Sequence, residues 1–215
     1  MRKYDSILFD LDGTLTDSAE GITKSAAMVL DHYGITYGSL QDLTVFIGPP
    51  LRDTFPKFGI PQAEVEDAVA LFRTRYTTVG KFENGPYDGM IALFQQLKKE
   101  GYKLYVATSK PETTAREILD HFAMTQYFDE IAGALMDGSW DEKDQVIAYL
   151  RDTCEVAGRT LMIGDTDFDI IGANKSHLDS IGVSWGFGST ESMLDAGALK
   201  IVHTMQELYD FVHVN

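Results

Sequence analysis

The sequence predicts an α/β protein: a doubly wound parallel sheet with a small helical domain inserted after its first strand. Short apolar runs that stop at polar residues alternate with helical patterns, as βαβ crossovers require. One long segment near the start departs from this alternation and shows helical patterns instead. The composition, 44% hydrophobic and 24% charged residues over 215 positions, is typical of a globular protein with a core of normal size.

Five apolar runs are interpreted as the strands of the sheet, because each is short and ends in polar residues or at a turn signal. They cover residues 6–10, 103–109, 160–165, 180–185 and 199–202. The helical patterns between them cover 111–122, 142–154, 168–176 and 204–212. Ligands of such sheets bind beyond the carboxyl ends of the strands, so the polar residues at these ends are the candidate functional residues.

The segment 17–84 is predicted to form a separate helical domain. Its helical patterns cover 22–32, 52–58 and 63–76, and no run within it is a convincing buried strand. Glycines and prolines bound the patterns, among them Gly48-Pro49-Pro50 and Gly85-Pro86. We therefore expect an α/β core of residues 1–16 and 85–215 and a helical domain of residues 17–84.

Acidic residues dominate the charge of the chain. The sequence has 33 Asp and Glu against 18 Lys and Arg, which gives a formal net charge of −15. This charge argues against a nucleic-acid polymer as partner, because phosphate backbones attract basic surfaces. A small phosphorylated metabolite is still compatible with it, since a metal ion or a few lysines can reverse the field inside one pocket.

The sequence also bears on the compartment. No apolar run approaches the ~18 residues of a membrane span, and the first apolar run is too short for a signal peptide. The single cysteine, Cys154, excludes a disulfide framework and favours a reducing compartment. We expect a cytoplasmic protein without a membrane partner, as a monomer or a weak homodimer.

Two aspartates at the end of the first predicted strand are candidate catalytic residues. Asp10 and Asp12 flank Leu11, and the alternation of extended side chains lets both carboxylates face the same side. Gly13 permits a tight turn, in which Thr14 can hydrogen-bond. Two close carboxylates repel, so one ionises and the other keeps its proton, which gives a nucleophile and a general acid. The residues alone leave open an acidic turn without chemistry.

A second acidic cluster, Gly164-Asp165-Thr166-Asp167-Phe168-Asp169, follows the predicted strand at 160–165. If a helix begins just after Asp165, then Asp169 lies one turn further on the same face. Together with Asp10, these carboxylates form an oxygen-rich site suited to Mg²⁺. The alternative is a well-capped helix N-terminus, which is the interpretation we prefer for Asp167.

The predicted strand at 103–109 ends in Thr108 and Ser109, just before the helical pattern that begins at Pro111. A hydroxyl and free backbone N–H groups at a helix N-terminus form an anion site suited to a phosphate. Lys110 and Lys143 are both candidates for neutralising that phosphate. Lys143 has acidic neighbours, so a solvated helix start is the alternative interpretation for it.

These motifs stand in a fixed order along the chain: Asp10-Leu-Asp-Gly-Thr14, Thr108-Ser-Lys-Pro111, Lys143 and Gly164-Asp165 with Asp169. They resemble the four motifs of the haloacid dehalogenase-like (HAD) hydrolase superfamily. The segments 47–51 and 109–111 are most similar to its phosphoglycolate phosphatase-like branch. The resemblance covers essentially the whole chain, and it implies a Rossmann-like core with the helical insert as a cap domain.

The resemblance implies a Mg²⁺-dependent phosphatase that hydrolyses a small phosphomonoester and is phosphoglycolate phosphatase-like or 5'-nucleotidase-like. Asp10 would attack phosphorus and form an aspartyl-phosphate. Asp12 would protonate the leaving alcohol and then activate water. Mg²⁺ would be held by Asp10, the backbone carbonyl of Asp12 and Asp165, with Asp169 in support.

The remaining roles that the resemblance implies concern the substrate. Thr108, Ser109 and Lys143 would hold the phosphoryl oxygens. Arg52 opens a helical pattern where the family places a loop over the active site, so its guanidinium could pair with a carboxylate or second phosphate of the substrate. A solvated arginine at a helix start is an equally open interpretation of Arg52.

Three other functions use residues of related type. A phosphomutase of the same superfamily shares the core and its chemistry, and the sequence barely distinguishes it from a phosphatase. A phosphoacceptor signalling domain is much shorter, lacks the helical insert and has no acid two residues beyond its acceptor. A haloalkanoic acid dehalogenase needs neither Asp12 as a proton donor nor a metal.

Overall fold

The structure is a computed structural model that describes residues 3–135, 140, 142–154, 156 and 158–213. Contacts between Cα atoms divide the chain into two compact units. One consists of Met1–Thr16 and Pro86–Asn215, and the other is Asp17–Gly85. We refer to them as the sheet unit and the helical unit.

The sheet unit is built on a six-stranded parallel sheet. Its strands follow the order β5-β4-β1-β6-β7-β8. Two further strands, of two residues each, lie where the chain passes between the units. In chain order the strands are β1 (Ser6–Phe9), β2 (Thr16–Asp17), β3 (Gly85–Pro86), β4 (Lys103–Pro111), β5 (Glu130–Ala134), β6 (Thr160–Gly164), β7 (Asp179–Val183) and β8 (Ile201–Val202).

Helices cover both faces of this sheet. In the sheet unit they are α4 (Met90–Lys99), α5 (Glu112–His121), α6 (Lys143–Thr153), α7 (Asp167–Lys175), α8 (Thr190–Asp195) and α9 (Met205–His213). Side chains of β1 alternate between two apolar clusters: Ile7 and Phe9 pack with α4, α5 and α9, whereas Leu8 packs with α6 and α7. Burying a side chain of this size stabilises the fold by about 1.5–3 kcal/mol. The predicted doubly wound α/β fold is confirmed.

In the sheet unit, the strand β5 and the helices α4 and α8 have no counterpart in the sequence prediction. In β5 the reason is visible at Gly133. The pairing of β4 with β5 shifts register between Thr108 and Pro111, and a Cβ on Gly133 would lie 2.4 Å from the carbonyl oxygen of Lys110. The close approach therefore requires glycine, which has a low strand propensity and weakens the sequence signal.

The helical unit contains α1 (Ala19–His32), α2 (Leu51–Thr54) and α3 (Val65–Tyr76), with 3₁₀ turns at Leu40–Phe46, Phe55–Phe58, Gln62–Glu64 and Gly80–Phe82. Phe55 lies at the centre of its core, between the rings of Phe46 and Phe72. The predicted helix at 52–58 is divided into α2 and a 3₁₀ turn, because Pro56 has no N–H to continue an α-helix.

None of the helices in the described ranges combines the length and the apolar composition that crossing a bilayer requires.

Candidate active site

The carboxyl ends of neighbouring strands bring the predicted site residues together in the sheet unit. β1 lies between β4 and β6, with Phe9 paired to Val106 on one side and to Ile163 on the other. Asp10 follows β1, Thr108 lies near the end of β4, and Asp165 follows β6. The backbone N–H of Asp10 donates to the carbonyl of Ile163 at 2.9 Å, so the first motif is tied to the fourth by the sheet itself.

Asp10, Asp165 and Asp169 form a compact carboxylate cluster. One oxygen of each lies within 4.8 Å of those of the other two. All three residues are buried, with exposures of 5%, 0% and 1%. Buried carboxylates at this separation repel strongly unless cations accompany them, so the cluster needs positive charge nearby.

Asp165 is held by neutral donors. The hydroxyl of Thr14 donates to its Oδ1 at 3.2 Å, and the backbone N–H of Phe187 donates to its Oδ2 at 2.8 Å. Burial and the negative charges of Asp169 and Asp10 raise the pKa of Asp165 well above its usual range, although these two hydrogen bonds oppose the shift. Protonation or a bound cation would relieve this repulsion.

Asp169 is oriented by the first turn of α7, in which it is the third residue. Thr166 is the N-cap of α7, and its backbone N–H and hydroxyl donate to Asp169 Oδ2 at 3.1 and 2.9 Å. This is the reciprocal arrangement of a capping box, with aspartate in the third position. Both interpretations of the segment therefore hold for Asp169, since the same carboxylate caps the helix and joins the cluster. Asp167, by contrast, is the first residue of the helix and lies outside the cluster.

Lys143 supplies a positive charge to the cluster. Its Nζ lies 2.7 Å from Asp10 Oδ1 and 2.8 Å from Asp169 Oδ1, and it donates to the carbonyl of Ala107 at 2.8 Å. Burial alone would lower the pKa of Lys143, but the two carboxylates outweigh burial and raise it above the usual range of lysine. The ammonium is therefore charged. Gly172 permits this approach of α6 to α7, because a Cβ there would lie 2.6 Å from the Cβ of Lys143.

Asp12 and Lys110 form a second buried ion pair. Lys110 Nζ lies 2.7 Å from Asp12 Oδ2, and both side chains are about nine-tenths buried. Within the described part of the chain, the other oxygen of Asp12, Oδ1, is buried and has no hydrogen-bond partner. A carboxylate with one oxygen fixed by a cation and the other unengaged is suited to exchange a proton with a ligand.

Thr108 and Ser109 lie at the end of β4, next to Lys110. The structure differs here from the predicted helix start, because β4 continues to Pro111 and α5 begins at Glu112. Thr108 Oγ1 accepts the backbone N–H of Lys110 at 3.2 Å, and Ser109 is half-buried. The two hydroxyls are thus presented by an irregular strand end, where the register shift occurs, and not by the first turn of a helix.

Arg52 lies in the helical unit, in α2. Its guanidinium binds both oxygens of Glu66 on α3, with Nε–Oε1 at 2.6 Å and a second contact to Oε2 at 3.0 Å. Glu66 is largely exposed. The structure thus gives Arg52 a partner within its own unit, and its predicted role towards a substrate stays a prediction.

The ligand type, the spacing and the charge of the carboxylate cluster can be compared with what a divalent cation requires. The cluster consists of oxygen ligands, which hard cations prefer. Opposite ligands of an octahedral Mg²⁺ site lie about 4.2 Å apart, which the 4.8 Å limit on the cluster accommodates. With its three carboxylates ionised, the cluster also keeps two negative charges after the ammonium of Lys143 is counted, and one divalent cation would neutralise them. The donor set therefore fits Mg²⁺.

Sequence reasoning missed three contributors to this site. Thr14 was expected to bond within its own turn, but its hydroxyl donates to Asp165. The backbone N–H of Phe187 does the same, and the indole of Trp185 donates to the carbonyl of Thr14 at 3.1 Å. The only sequence signal for this loop is the spacing of Gly186 and Gly188 just after a strand.

Comparison with known proteins identifies the family. The model of the family described as haloacid dehalogenase-like hydrolase matches residues 7–183, which include every motif of the carboxylate cluster. The chain belongs to this family. The superfamily predicted from the four motifs is therefore confirmed, and so is the prediction of a phosphatase among the HAD-like hydrolases.

Individual relatives of this HAD-like hydrolase are similar over most of its length. A 5'-nucleotidase of Pseudomonas aeruginosa is 43% identical over 193 residues, which are 89% of this chain and 87% of that protein. The tyrosine-protein kinase PtkA of Mycobacterium tuberculosis is 37% identical over 211 residues, 97% of this chain and 72% of that protein. The crystal structure of a predicted phosphatase from Clostridium acetobutylicum has a TM-score of 0.93 at 43% identity and covers 97% and 98% of the two chains.

Proposed function

We propose that this chain is a Mg²⁺-dependent phosphatase that hydrolyses a small phosphomonoester through an aspartyl-phosphate on Asp10. The observation that carries the proposal is the buried cluster of Asp10, Asp165 and Asp169, with Lys143 bound to the first and third. A separate carboxylate, Asp12, lies two residues from Asp10, and its Oδ1 has no hydrogen-bond partner among the described residues. This arrangement supplies a nucleophile, a cation site and a proton carrier, all on buried residues.

Asp10, Asp165 and Asp169 would hold Mg²⁺, together with the backbone carbonyl of Asp12. When bound, the ion would neutralise the charges of Asp10 and of the substrate phosphate, which otherwise repel each other. The two negative charges that remain on the three ionised carboxylates after Lys143 is counted support this assignment.

In the first step, a carboxylate oxygen of Asp10 forms a bond to phosphorus while the bond from phosphorus to the leaving oxygen breaks. Asp12 gives its proton to that oxygen, so the alcohol leaves neutral. The phosphoryl group is then an acyl phosphate on Asp10, and Asp12 is ionised. Lys143, Thr108 and Ser109 bind the phosphoryl oxygens and stabilise their charge as it redistributes.

In the second step, Asp12 takes a proton from a water molecule and the water oxygen attacks phosphorus. The bond between phosphorus and Asp10 breaks and returns a free carboxylate, and inorganic phosphate is released. The net reaction consumes one water and one phosphomonoester, and Asp12 ends protonated as it began. Because Lys110 binds Asp12 Oδ2, Oδ1 stays available for both proton transfers.

The two lysines, between which sequence reasoning could not choose, are assigned different tasks in this proposal. Lys143 contacts Asp10, the residue that receives the phosphoryl group, and is therefore suited to bind the phosphate. Lys110 contacts Asp12 and is suited to orient the proton carrier. Both ion pairs are buried, so each lysine acts at short range in a medium of low dielectric.

Nucleoside 5'-monophosphates are the first substrate class to test, since the relative at 43% identity carries the name 5'-nucleotidase. Phosphoglycolate is the second, from the motifs at 47–51 and 109–111. Arg52 remains the proposed specificity residue, and an anionic group of the substrate would compete with Glu66 for its guanidinium.

The experiment that tests the proposal is a screen of phosphomonoesters with the purified protein and Mg²⁺. We expect release of inorganic phosphate from a small ester, loss of release in excess chelator and recovery with Mg²⁺. Asp10→Asn is the inactive control. Phosphate release that survives both the chelator and Asp10→Asn would contradict the proposal.

The same screen separates two other activities. Conversion of a sugar phosphate to its isomer without phosphate release would indicate a phosphomutase. Because one relative is named a tyrosine-protein kinase, an arm with ATP and a tyrosine-containing protein is included. Transfer of label from ATP to tyrosine, with no release from monoesters, would favour that activity.

A further inference from the structure

The loop that follows β7, Trp185–Gly188, closes around the carboxylate of Asp165. A Cβ on Gly186 would lie 2.3 Å from Asp165 Oδ2, and one on Gly188 would lie 2.0 Å from the carbonyl oxygen of Asp165. Neither glycine has a left-handed backbone. The loop approaches Asp165 so closely that a side chain larger than that of glycine would clash at either position.

The same loop reaches both carboxylate oxygens of Asp165. The backbone N–H of Phe187 donates directly to Oδ2 at 2.8 Å. The route to Oδ1 passes through Thr14: the indole Nε1 of Trp185 donates to the Thr14 carbonyl at 3.1 Å, and the Thr14 hydroxyl donates to Oδ1 at 3.2 Å. The hydrogen bond from Trp185 thus links the turn after β1 to the loop after β7, and both segments contact Asp165.

The chemical nature of these donors distinguishes Asp165 from its neighbours. Among the described residues, Asp10 and Asp169 each bind the ammonium of Lys143, whereas Asp165 binds neutral donors, an N–H and a hydroxyl. An ammonium on Asp165 would compete with a cation for the carboxylate. Neutral donors fix its position against the repulsion of the other two carboxylates and leave its charge available.

We infer that the loop Trp185–Gly188 is a positioning element that prepares Asp165 for Mg²⁺, with Trp185 acting as a positioning residue through Thr14. The inference rests on the proposed Mg²⁺ site. It assigns the indole N–H a role in the affinity for the cation and none in the binding of substrate or in the transfer of the phosphoryl group.

Trp185→Phe tests this inference, because it removes the indole N–H and keeps an aromatic ring beside Tyr87, whose ring centroid lies 6.4 Å from that of Trp185. The matched control is Trp140→Phe, at the other tryptophan of the chain, which packs against Tyr149. Mg²⁺ binding is measured by calorimetry, and turnover is measured as a function of Mg²⁺ concentration. Groups that orient metal ligands typically contribute a factor of about 10–100 to metal affinity.

We expect Trp185→Phe to weaken Mg²⁺ binding about tenfold. Saturating Mg²⁺ should restore kcat, the KM for substrate should stay unchanged, and Trp140→Phe should bind Mg²⁺ like the wild type. If Trp185→Phe does not fold, Thr14→Val replaces it, with Thr14→Ser as the variant that keeps the hydroxyl and restores affinity.

Three results would overturn the inference. Equal Mg²⁺ affinity in Trp185→Phe and wild type would make Trp185 a packing residue, as would a loss of kcat that excess Mg²⁺ does not repair. A wild-type protein that fails to bind Mg²⁺ at all would contradict the proposed metal site itself, and the inference would fall with it.

Discussion

The Nζ of Lys143 lies 2.7 Å from Oδ1 of Asp10, although 133 positions separate the two residues in the sequence. The contact is buried, and it joins the first residue of α6 to the residue that follows β1. Asp169 shares the same ammonium at 2.8 Å. The ammonium of Lys143 thus lies beside the carboxylate that would gain and lose a phosphoryl group if Asp10 is the nucleophile.

Lys143→Met should reduce both stability and activity. Removal of the ammonium leaves two buried carboxylates without their cation, and breaking a buried ion pair in this way costs about 3–5 kcal/mol. The loss of a donor to the phosphoryl oxygens should lower kcat by about 10²–10³. Urea unfolding and steady-state kinetics measure the two effects.

The matched control for Lys143→Met is Lys175→Met. Lys175 forms exposed ion pairs with Glu142 and Asp144, and such pairs contribute about 0–1 kcal/mol. Similar losses in the two variants would contradict the role given to Lys143.

Lys110→Met should affect substrates according to their leaving group. Lys110 fixes Asp12 Oδ2, so its removal should impair proton transfer to the leaving oxygen. Alkyl phosphates depend on that proton and should lose turnover, up to the ~10²–10⁴-fold that general acid–base catalysis supplies. Aryl phosphates leave without it and should lose less. Equal losses on both classes would show instead that Lys110 acts at the phosphate.

The sequence allowed the carboxylates of this cluster to be predicted, because Asp10 and Asp165 each follow a strand of a parallel sheet whose carboxyl ends share one edge. Asp169 lies one helical turn beyond Asp165. The choice between Lys110 and Lys143 could not be made in this way. The position of Lys143 depends on how closely α6 approaches α7, where Gly172 leaves room for the Lys143 side chain. Both lysines are buried and paired, a result that neither sequence interpretation included.

The backbone hydrogen-bond donors of the site could not be predicted from the sequence either. The contact between Phe187 and Asp165 uses a backbone N–H, which any residue other than proline could supply. The strand β5 was missed for a related reason, since Gly133 is required by the irregular path of β4 and weakens the strand pattern. Both features depend on which backbone groups come close in the folded protein, and local residue propensities do not reveal this.

Asp165→Asn should separate metal binding from folding. In chelator, the variant removes the repulsion between Asp165 and the carboxylates of Asp10 and Asp169, and Thr14 can accept a hydrogen bond from the new amide. Its melting temperature in chelator should therefore equal or exceed that of the wild type. The stabilisation by Mg²⁺, about 2.7 kcal/mol when the ion is at a hundred times its Kd, should be lost.

The control for Asp165→Asn is Asp167→Asn, two residues away and outside the cluster. It should retain the full Mg²⁺-dependent rise in melting temperature. A full rise in Asp165→Asn as well would remove Asp165 from the metal site.

Asp129 should make stability depend on pH in the acidic range. Burial by itself raises the pKa of Asp129, but hydrogen bonds from Lys103, Lys98 and the backbone N–H of Leu104 outweigh it, and the net shift is downward. The unfolded chain therefore binds the proton more readily, near its usual pKa of about 3.9. The contribution of Asp129 is complete above that pH and is lost as the pH falls through the lower pKa of the folded state.

Asp129→Asn should accordingly lower the free energy of unfolding by about 1 kcal/mol at pH 7. The difference from the wild type should shrink as the pH falls below about 3.9. Urea unfolding at a series of pH values measures it. If the difference in unfolding free energy stays constant across this range, the ionised carboxylate of Asp129 is not the group that stabilises the contact with α4 and β4.

The account depends most on the division of labour between Asp10 and Asp12, and the phosphoenzyme of Asp12→Asn tests it most directly. With an aryl phosphate and Mg²⁺, Asp10 can still attack, while hydrolysis of the intermediate lacks its base and slows by about 10²–10⁴-fold. Intact-protein mass spectrometry should then show one added phosphoryl group, which peptide mapping after trapping should locate on Asp10, and Asp10→Asn should show none. Phosphate on Asp12 in the wild type, or normal turnover of alkyl phosphates by Asp12→Asn without accumulation of phosphoenzyme, would contradict the account.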